Sequence, residues 1–176
     1  TEKKTLLVLG GSLGAKTINE AMSESVKILE ENNIQVIWQT GKNYIEQFKN
    51  MNSVNVKVYD FIDDMNSAYS ACDLLLARAG ATTIAELLNL GIPAILVPSP
   101  NVAENHQYFN AKSLSDKEAA IMIQDNVLQK ELVKSVLGVF NSDSKLSDLK
   151  KKALQMAKPD AAKVIAQNAI KFAEAV

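Results

Sequence analysis

The most constraining feature of the sequence is a regular alternation of short apolar runs with longer segments of helical periodicity. Residues 5–9 form an apolar run that ends in two glycines, and residues 15–31 then place apolar side chains at helical spacing. The same pattern recurs along most of the chain. It predicts a doubly wound α/β fold, in which helices cover both faces of a parallel sheet.

About six strands and a mostly helical C-terminal segment are predicted. The predicted strands are 5–9, 35–38, 55–59, 73–77, 94–97 and 119–123. The predicted helices are 15–31, 43–51, 65–71, 81–90, 104–114, 127–140, 146–157 and 161–173. No repeat, linker or low-complexity tract divides the chain, so we expect residues 1–176 to form one Rossmann-like domain. Ligands of such sheets bind beyond the carboxyl ends of the strands.

Charge and cysteine content exclude several classes of function. The 19 basic and 20 acidic side chains give a formal charge of -1, which leaves no broad basic surface for nucleic acid. Cys72 is the only cysteine, which excludes an internal disulfide or a cysteine-based metal cluster. No apolar run reaches the roughly 20 residues of a membrane-spanning helix, and the N-terminus lacks a signal-peptide pattern. We therefore expect a cytoplasmic domain that does not insert into the membrane.

The first candidate site is the glycine turn, residues 10–15, between the first strand and the first helix. Its glycines let backbone amides approach an anion at a helix N-terminus, although glycines also end strands for steric reasons alone. The turn differs from the dinucleotide fingerprint in glycine spacing, and Gln39 and Thr40 stand where an acidic residue binds ribose. A NAD site is therefore not expected.

The same turn comes close to an ATP-binding P-loop. Residues 10–17 read G-x-x-x-x-A-K-T, with Ala15 in place of the glycine that precedes the lysine. Asp60, after the third strand, is the candidate magnesium ligand of this alternative. A β-carbon at position 15 would crowd the phosphates. A phosphotransferase that depends on Lys16 is therefore kept only as the second interpretation of the chain.

The second candidate site is RAGATTIAE, residues 78–86, after the fourth strand. The backbone amides of residues 81–83 would be unpaired donors in the first turn of a helix, suited to a diphosphate. Glu86 can accept hydrogen bonds from two ribose hydroxyls, or it can serve only to stabilise the helix N-terminus. Arg78, the only arginine, can neutralise phosphate or pair with an acid such as Asp73.

The third candidate site is the proline-containing segment PSPNVAENHQ, residues 98–107, after the fifth strand. Its prolines hold the chain out of regular structure until a helix begins near Glu104. His106 and Gln107 fall in the first turn of that helix, where an imidazole and an amide can hydrogen-bond sugar hydroxyls. The histidine has no evident acidic partner, so we expect binding or packing rather than catalysis.

Four segments together resemble one family of glycosyltransferases. They are GGSLGA at 10–15, FIDDM at 61–65, RAGATTIAELLNLGIPAILVP at 78–98 and NHQYFNA at 105–111. In this order they resemble the C-terminal, donor-binding domain of the MurG family, the bacterial transferases that move N-acetylglucosamine from UDP-N-acetylglucosamine to lipid I. The resemblance implies half of a GT-B glycosyltransferase, whose acceptor-binding N-terminal domain is absent from this sequence.

The resemblance also implies which residues bind the donor. They are Ser12, Gly14, Phe61, Ile62, Ala81, Thr82, Thr83, Glu86, His106 and Gln107. The first two would lie near the phosphates, the next two would border the uracil, and the three after them would give amides to the diphosphate. Glu86 would hold the ribose, and the last two would contact the N-acetylglucosamine. Some family members have glutamine at the position of His106.

The reaction and its partners follow from the same resemblance. The acceptor hydroxyl attacks the anomeric carbon with inversion as UDP leaves, and no cofactor, metal or covalent intermediate is implied. The general base, the lipid I site and the membrane-docking surface belong to the N-terminal domain. We therefore expect the full-length protein at the cytoplasmic face of the membrane and no transfer by this chain alone. A non-catalytic docking domain for a separate subunit is the remaining alternative.

Overall fold

A six-stranded parallel sheet forms the centre of the protein, as the alternating pattern predicts. The computed structural model describes residues 3–174. The strands are β1 (Lys4–Leu9), β2 (Ile34–Gln39), β3 (Val56–Tyr59), β4 (Leu74–Ala77), β5 (Ala94–Leu96) and β6 (Ile121–Met122). They lie in the order β3-β2-β1-β4-β5-β6, and all neighbouring pairs are parallel. This order is that of a Rossmann-like sheet.

Helices connect the strands and cover both faces of the sheet. The α-helices of residues 3–174 are α1 (Lys16–Glu31), α2 (Ile45–Phe48), α3 (Met65–Ser70), α4 (Ala81–Leu90), α5 (His106–Ser115), α6 (Leu128–Phe140), α7 (Asp143–Gln155) and α8 (Ala161–Glu174). Each predicted helix is present, although its ends shift by a few residues. None of them has both the length and the apolar content that crossing a bilayer requires.

Two apolar clusters lie on opposite faces of the sheet. Side chains alternate between the faces along a strand, so Leu6 and Val8 of β1 enter one cluster while Leu7 enters the other. Helices α1 and α6 contribute to the first cluster, and α4 and α5 contribute to the second. Because both faces are buried, residues 6–9 of β1 and all of β4 are apolar rather than alternating.

A buried polar network joins α1 to the end of β2. The indole N–H of Trp38 donates to Asn19 Oδ1 at 3.0 Å, and Asn19 Nδ2 donates to the carbonyl of Thr40 at 2.9 Å. Asn19 and Thr40 are fully buried, so these bonds replace water contacts that are lost on folding. The network holds the first turns of α1 beside the residues that follow β2.

Helix α8 packs against little of the domain. All of its residues are exposed, including Ile165 at 69% and Phe172 at 77%. Its apolar residues nevertheless recur at helical spacing, with Val164 and Ile170 exposed as well. Amphipathic helices gain most of their stability from burying an apolar face. No other part of residues 3–174 buries this face of α8.

Candidate functional site

The candidate loops meet at the carboxyl edge of the sheet. The glycine turn follows β1, residues 78–83 follow β4, and residues 98–107 follow β5. All strands are parallel, so these loops lie at one edge. The chain passes from β1 outward to β2 and β3, and from β4 outward to β5 and β6. The crevice between β1 and β4 is therefore the switch point at which ligands of such sheets bind.

The glycine turn depends on glycine at its last position. Gly14 has φ +89°, and a Cβ there would lie 2.2 Å from the carbonyl oxygen of Thr40 and 2.5 Å from the ring of Tyr44. The N–H of Gly14 donates to the carbonyl of Gly11 at 3.1 Å, so it closes the turn. Gly14 therefore shapes the turn, and Ser12 lies exposed at its tip.

The start of α1 differs from a P-loop. The side chain of Lys16 is 71% exposed and lies along the helix toward Glu20, with an N–O distance of 3.8 Å. The hydroxyl of Thr17 donates to Asp125 Oδ2 at 2.9 Å. The lysine thus points away from the glycine turn and the threonine hydroxyl already has a carboxylate partner, so the geometry does not favour the phosphotransferase interpretation.

The start of α4 presents backbone donors to the crevice. Gly80 is the N-cap in an extended conformation, and no side chain caps the helix. The amides of residues 81–83 are therefore uncapped first-turn donors at the positive end of the helix dipole. Asn110 Nδ2 donates to the carbonyl of Ala79 at 3.1 Å and fixes the turn before them. This arrangement suits an anion such as a diphosphate.

Glu86 lies on the exposed face of α4, about one turn beyond these donors. Its Oε2 accepts a hydrogen bond of 2.7 Å from the hydroxyl of Tyr69 in α3. Burial, and then this bond, raise the pKa of Tyr69, so the phenol keeps its proton and is the donor. Oε1 of Glu86 accepts no hydrogen bond from residues 3–174 and remains open to a hydroxyl group.

The loop after β3 brings Phe61 and Ile62 to the same edge. The N–H of Ile62 donates to Gln39 Oε1 at 3.1 Å, and Gln39 is buried at the end of β2. The carbonyl is therefore the backbone group of Ile62 that is open to a base. The ring of Phe61 is 43% exposed. Asp64 ends the loop as the N-cap of α3, because its carboxylate accepts from the N–H of Ser67 at 3.0 Å.

The loop after β5 is closed by Gln107. Its Oε1 accepts a hydrogen bond of 2.9 Å from the N–H of Ser99, which leaves the amide N–H2 group as a donor. Asn105, the N-cap of α5, has φ +52°, a left-handed conformation that few non-glycine residues adopt. His106 is exposed, and its Nδ1 lies 2.9 Å from the carbonyl of Ala103. Its Nε2 is then the ring nitrogen that can reach a ligand.

A partly buried ion pair joins the loops beneath the crevice. Arg78 donates to the carboxylate of Asp125, and the two side chains are 18% and 17% exposed. Arg78 also donates to the carbonyls of Val97 and Pro98 at 3.3 and 3.4 Å. Since Asp125 also binds Thr17, this cluster ties the start of α1, the end of β4 and the loop after β5 to one another.

Three supporting residues were not identified from the sequence: Gln39, Tyr69 and Asp125. Their partners lie 23, 17 and 47 positions away, so no local motif reveals the contacts. Asp73, the partner suggested for Arg78, was the wrong acid, because it accepts from the N–H of β1 residue Thr5 at 2.7 Å. Only Gln39 carries a local signal, because it is a polar residue at the buried end of a strand.

Comparison with curated proteins agrees with the motifs. Residues 5–165 match the family described as Glycosyltransferase family 28 C-terminal domain. The UDP-N-acetylglucosamine--N-acetylmuramyl-(pentapeptide) pyrophosphoryl-undecaprenol N-acetylglucosamine transferase of Bacteroides thetaiotaomicron is 47% identical, over 99% of this chain and 48% of that protein. The protein of the same name from Cytophaga hutchinsonii is 50% identical, over 89% of this chain and 42% of that protein. The chain spans about half the length of the curated relatives it matches.

Comparison with solved structures agrees with the fold. The crystal structure of Acinetobacter baumannii MurG superimposes with a TM-score of 0.86 at 32% identity, over 97% of this chain and 50% of that one. The predicted Rossmann-like fold of a GT-B glycosyltransferase domain is thereby confirmed. The sequence match, the strand order and the sequential order of the four motifs all agree. The chain therefore belongs to the glycosyltransferase family 28 C-terminal domain family.

Proposed function

We propose that residues 1–176 are one UDP-N-acetylglucosamine-binding domain of an inverting transferase that adds N-acetylglucosamine to lipid I and forms lipid II in peptidoglycan synthesis. The observation that carries the proposal is the crevice at the carboxyl edge, where the uncapped donors of α4 lie one turn from Glu86. Relatives up to 50% identical bear the name of this activity, which supports the choice of donor and acceptor.

The nucleotide meets groups of matching chemistry in this crevice. The diphosphate takes the amides of residues 81–83, while Gly14 shapes the turn that brings Ser12 toward the phosphates. The ribose hydroxyls donate to Glu86, since an ionised carboxylate is an acceptor only. The uracil N3–H donates to the carbonyl of Ile62, and Phe61 covers the base.

The sugar takes the side of the crevice formed by the loop after β5. The N–H2 group of Gln107 donates to one sugar hydroxyl, because its oxygen is already bound to Ser99. Nε2 of His106 accepts from another hydroxyl. Both residues begin α5, and their contacts place the anomeric carbon at the mouth of the crevice, where an acceptor can approach.

The domain contributes position and electrostatics to the reaction. The acceptor hydroxyl attacks the anomeric carbon, the bond from that carbon to the diphosphate oxygen breaks, and negative charge grows on UDP. The amides and the positive end of α4 stabilise that charge without reorganising. Because the chain spans about half the length of its relatives, we assign the acceptor site and the general base to the other half. Turnover of lipid I by this chain alone would contradict that assignment.

The location of the enzyme is also part of the proposal. The name of the curated relatives includes an undecaprenol acceptor, which is a membrane lipid. A soluble nucleotide sugar and a membrane lipid meet at the cytoplasmic face of the bilayer, so we propose that the full-length protein is peripheral there. Fractionation of cells that express the full-length protein tests this, since release by salt or mild detergent is expected.

Calorimetric titration with UDP-N-acetylglucosamine, UDP and ATP tests the donor site. We expect both uridine nucleotides to bind more tightly than ATP. Glu86→Ala removes hydrogen bonds to a charged acceptor, worth about 1.5–3 kcal/mol, so UDP affinity should fall roughly 10- to 150-fold. Glu31→Ala, an exposed glutamate at the end of α1, is the matched control and should change nothing.

The alternatives give different results in the same titration. Preference for ATP, lost on Lys16→Ala, would support the phosphotransferase. Absence of uridine affinity together with a stable complex with another chain would support a docking domain. Either result would overturn the proposed function.

A further inference from the structure

The Tyr69 hydroxyl is bound to the carboxylate that the proposed function assigns to the ribose. We propose that Tyr69 is a positioning residue, which fixes the carboxylate of Glu86 in the orientation that binds the ribose 2′- and 3′-hydroxyls. This inference rests on the proposed function, and it adds a residue that determines the preference for ribose over deoxyribose.

The contact leaves the carboxylate able to bind a second group. Tyr69 donates to Oε2 of Glu86 at 2.7 Å. An ionised carboxylate offers about four lone-pair positions on its two oxygens. Oε1 and one position on Oε2 therefore remain for the two neighbouring hydroxyls of a ribose.

Tyr69 is the fixed partner and Glu86 the adjustable one. The ring of Tyr69 is packed against the second apolar cluster, on which Ile62 and Ile84 also pack. Glu86 is exposed, and within residues 3–174 it forms no ion pair that would hold it elsewhere. An unrestrained glutamate loses up to about 2 kcal/mol of side-chain entropy when it is ordered. The bond from Tyr69 orders the carboxylate before the ligand arrives, which favours binding.

The position of Tyr69 links base recognition to ribose recognition. Helix α3 begins directly after the loop that carries Phe61 and Ile62, and Asp64 caps its N-terminus. Tyr69 lies in the last turn of this short helix. The same segment therefore places the uracil-binding carbonyl at one end and the tyrosine that holds Glu86 at the other.

The pKa of Tyr69 supports its role as a permanent donor. Burial and the bond to Glu86 raise the pKa of Tyr69, so the phenol stays protonated at neutral pH. The bond then always runs from the phenol to the carboxylate, and the carboxylate is left as an acceptor for hydroxyl groups.

Calorimetric titration of Tyr69→Phe with UDP and with 2′-deoxy-UDP tests the inference, because phenylalanine keeps the ring packing and removes only the hydroxyl. We expect UDP affinity to fall roughly 3- to 10-fold, as for one lost hydrogen bond. Affinity for 2′-deoxy-UDP should fall less, so the ratio of the two affinities should shrink. Tyr59→Phe, which removes an exposed phenol hydroxyl at the end of β3, should leave both affinities unchanged.

The Glu86→Ala background completes the test. If Tyr69 acts through Glu86, then Tyr69→Phe should have no further effect on UDP affinity once the carboxylate is absent. Two results would overturn the inference and leave the donor site in place. Tyr69→Phe could lower the affinities for UDP and 2′-deoxy-UDP equally, or it could lower UDP affinity as much in the Glu86→Ala background as in the unmodified chain. Either result would assign Tyr69 a structural role. Failure of the unmodified chain to bind UDP would instead overturn the proposed function, and this inference with it.

Discussion

At the scale of single residues, the glycines at positions 14 and 80 have opposite roles. Gly14 has φ +89° and no room for a Cβ, so the fold itself requires glycine there. Gly80 has φ -71° and ψ 146°, which any residue adopts, and a Cβ there would meet only Thr83 Oγ1 at 3.9 Å. The free protein does not use the space at Gly80. Under the proposed function, the diphosphate occupies it.

Gly80→Ala should therefore separate stability from binding. Alanine fits the backbone and restricts the unfolded chain, but it is a poorer N-cap than glycine, so the two effects oppose each other and the free energy of unfolding should change by less than about 1 kcal/mol. UDP affinity should fall, because the new methyl group enters the space of the diphosphate. Thermal unfolding and calorimetry measure the two effects. Gly138→Ala, in α6 with no atom within 4 Å of the new Cβ, is the control and should leave UDP affinity unchanged. Full affinity in Gly80→Ala would remove the diphosphate from the start of α4.

Gly14→Ala should destabilise the protein more than Gly11→Ala. Both glycines have positive φ, and this strain alone costs alanine about 1–2 kcal/mol. A Cβ on Gly14 would also overlap Thr40 and Tyr44, whereas one on Gly11 meets nothing within 4 Å. Denaturation in urea compares the two free energies of unfolding. Equal losses of unfolding free energy in the two variants would show that the turn can move away from Tyr44.

At the scale of elements, the sequence predicts buried central strands better than short elements at the edge of the sheet. Residues 6–9 of β1 and all of β4 form short apolar runs that end just before glycine-containing turns, and this combination predicts buried strands. Residues 43–51 have helical spacing, yet only Ile45–Phe48 is α-helical and a 3-10 turn follows, because spacing defines a face and not a hydrogen-bond pattern. The predicted strand 119–123 contains only two paired residues, since β6 lies at the edge beside the short β5.

The candidate site shows the same limit. The sequence indicates its motif residues because most of them lie in loops after strands or in the first two turns of a helix, as Glu86 and Gln107 do, and their role in donor binding stays a prediction. The contacts that orient them join different elements: Gln39 of β2 binds the loop after β3, and Asp125 binds both the residue that follows β4 and α1. Such contacts depend on strand order, which only the folded chain defines.

Among the contacts that join different elements, the Arg78–Asp125 ion pair should contribute most to the free energy of unfolding. Asp125→Ala leaves the guanidinium of Arg78 partly buried without its partner, which should lower the free energy of unfolding by about 2–4 kcal/mol, slightly less than for a fully buried pair. UDP-N-acetylglucosamine affinity should fall as well, because the loops lose their connection. Urea denaturation and calorimetry measure both quantities.

An exposed ion pair provides the control for this prediction. Nζ of Lys112 in α5 lies 2.7 Å from Oδ1 of Asp116, the C-cap of that helix, and both side chains are exposed. Asp116→Ala should change stability little, because exposed ion pairs contribute little. Similar losses in Asp125→Ala and Asp116→Ala would mean that burial of the Arg78 pair is unimportant.

At the scale of the whole molecule, the domain consists of a packed sheet and a helix that it does not cover. α7 belongs to the packed part, since Leu149 and Ala153 are buried. α8 has no buried residue, and its apolar side chains face outward. An exposed apolar face of this kind is typical of a surface that another part of an assembly covers. Under the proposed function, the other half of the full-length protein is the part that covers this face, because the relatives are about twice as long as this chain.

Removal of α8 should leave the donor domain intact. A chain that ends at Lys158 loses only exposed side chains among residues 159–174, so its free energy of unfolding should change by less than about 0.5 kcal/mol, as for surface changes. Its UDP affinity should be unchanged. Binding of an apolar fluorescent dye should decrease, because the exposed apolar face is gone. A chain that ends at Asn141 also lacks Leu149 and Ala153 and should be strongly destabilised, which makes it the control. A marked loss of stability on removal of α8 alone would mean that this helix packs on the sheet in solution, and its apolar face would then be accounted for within the domain.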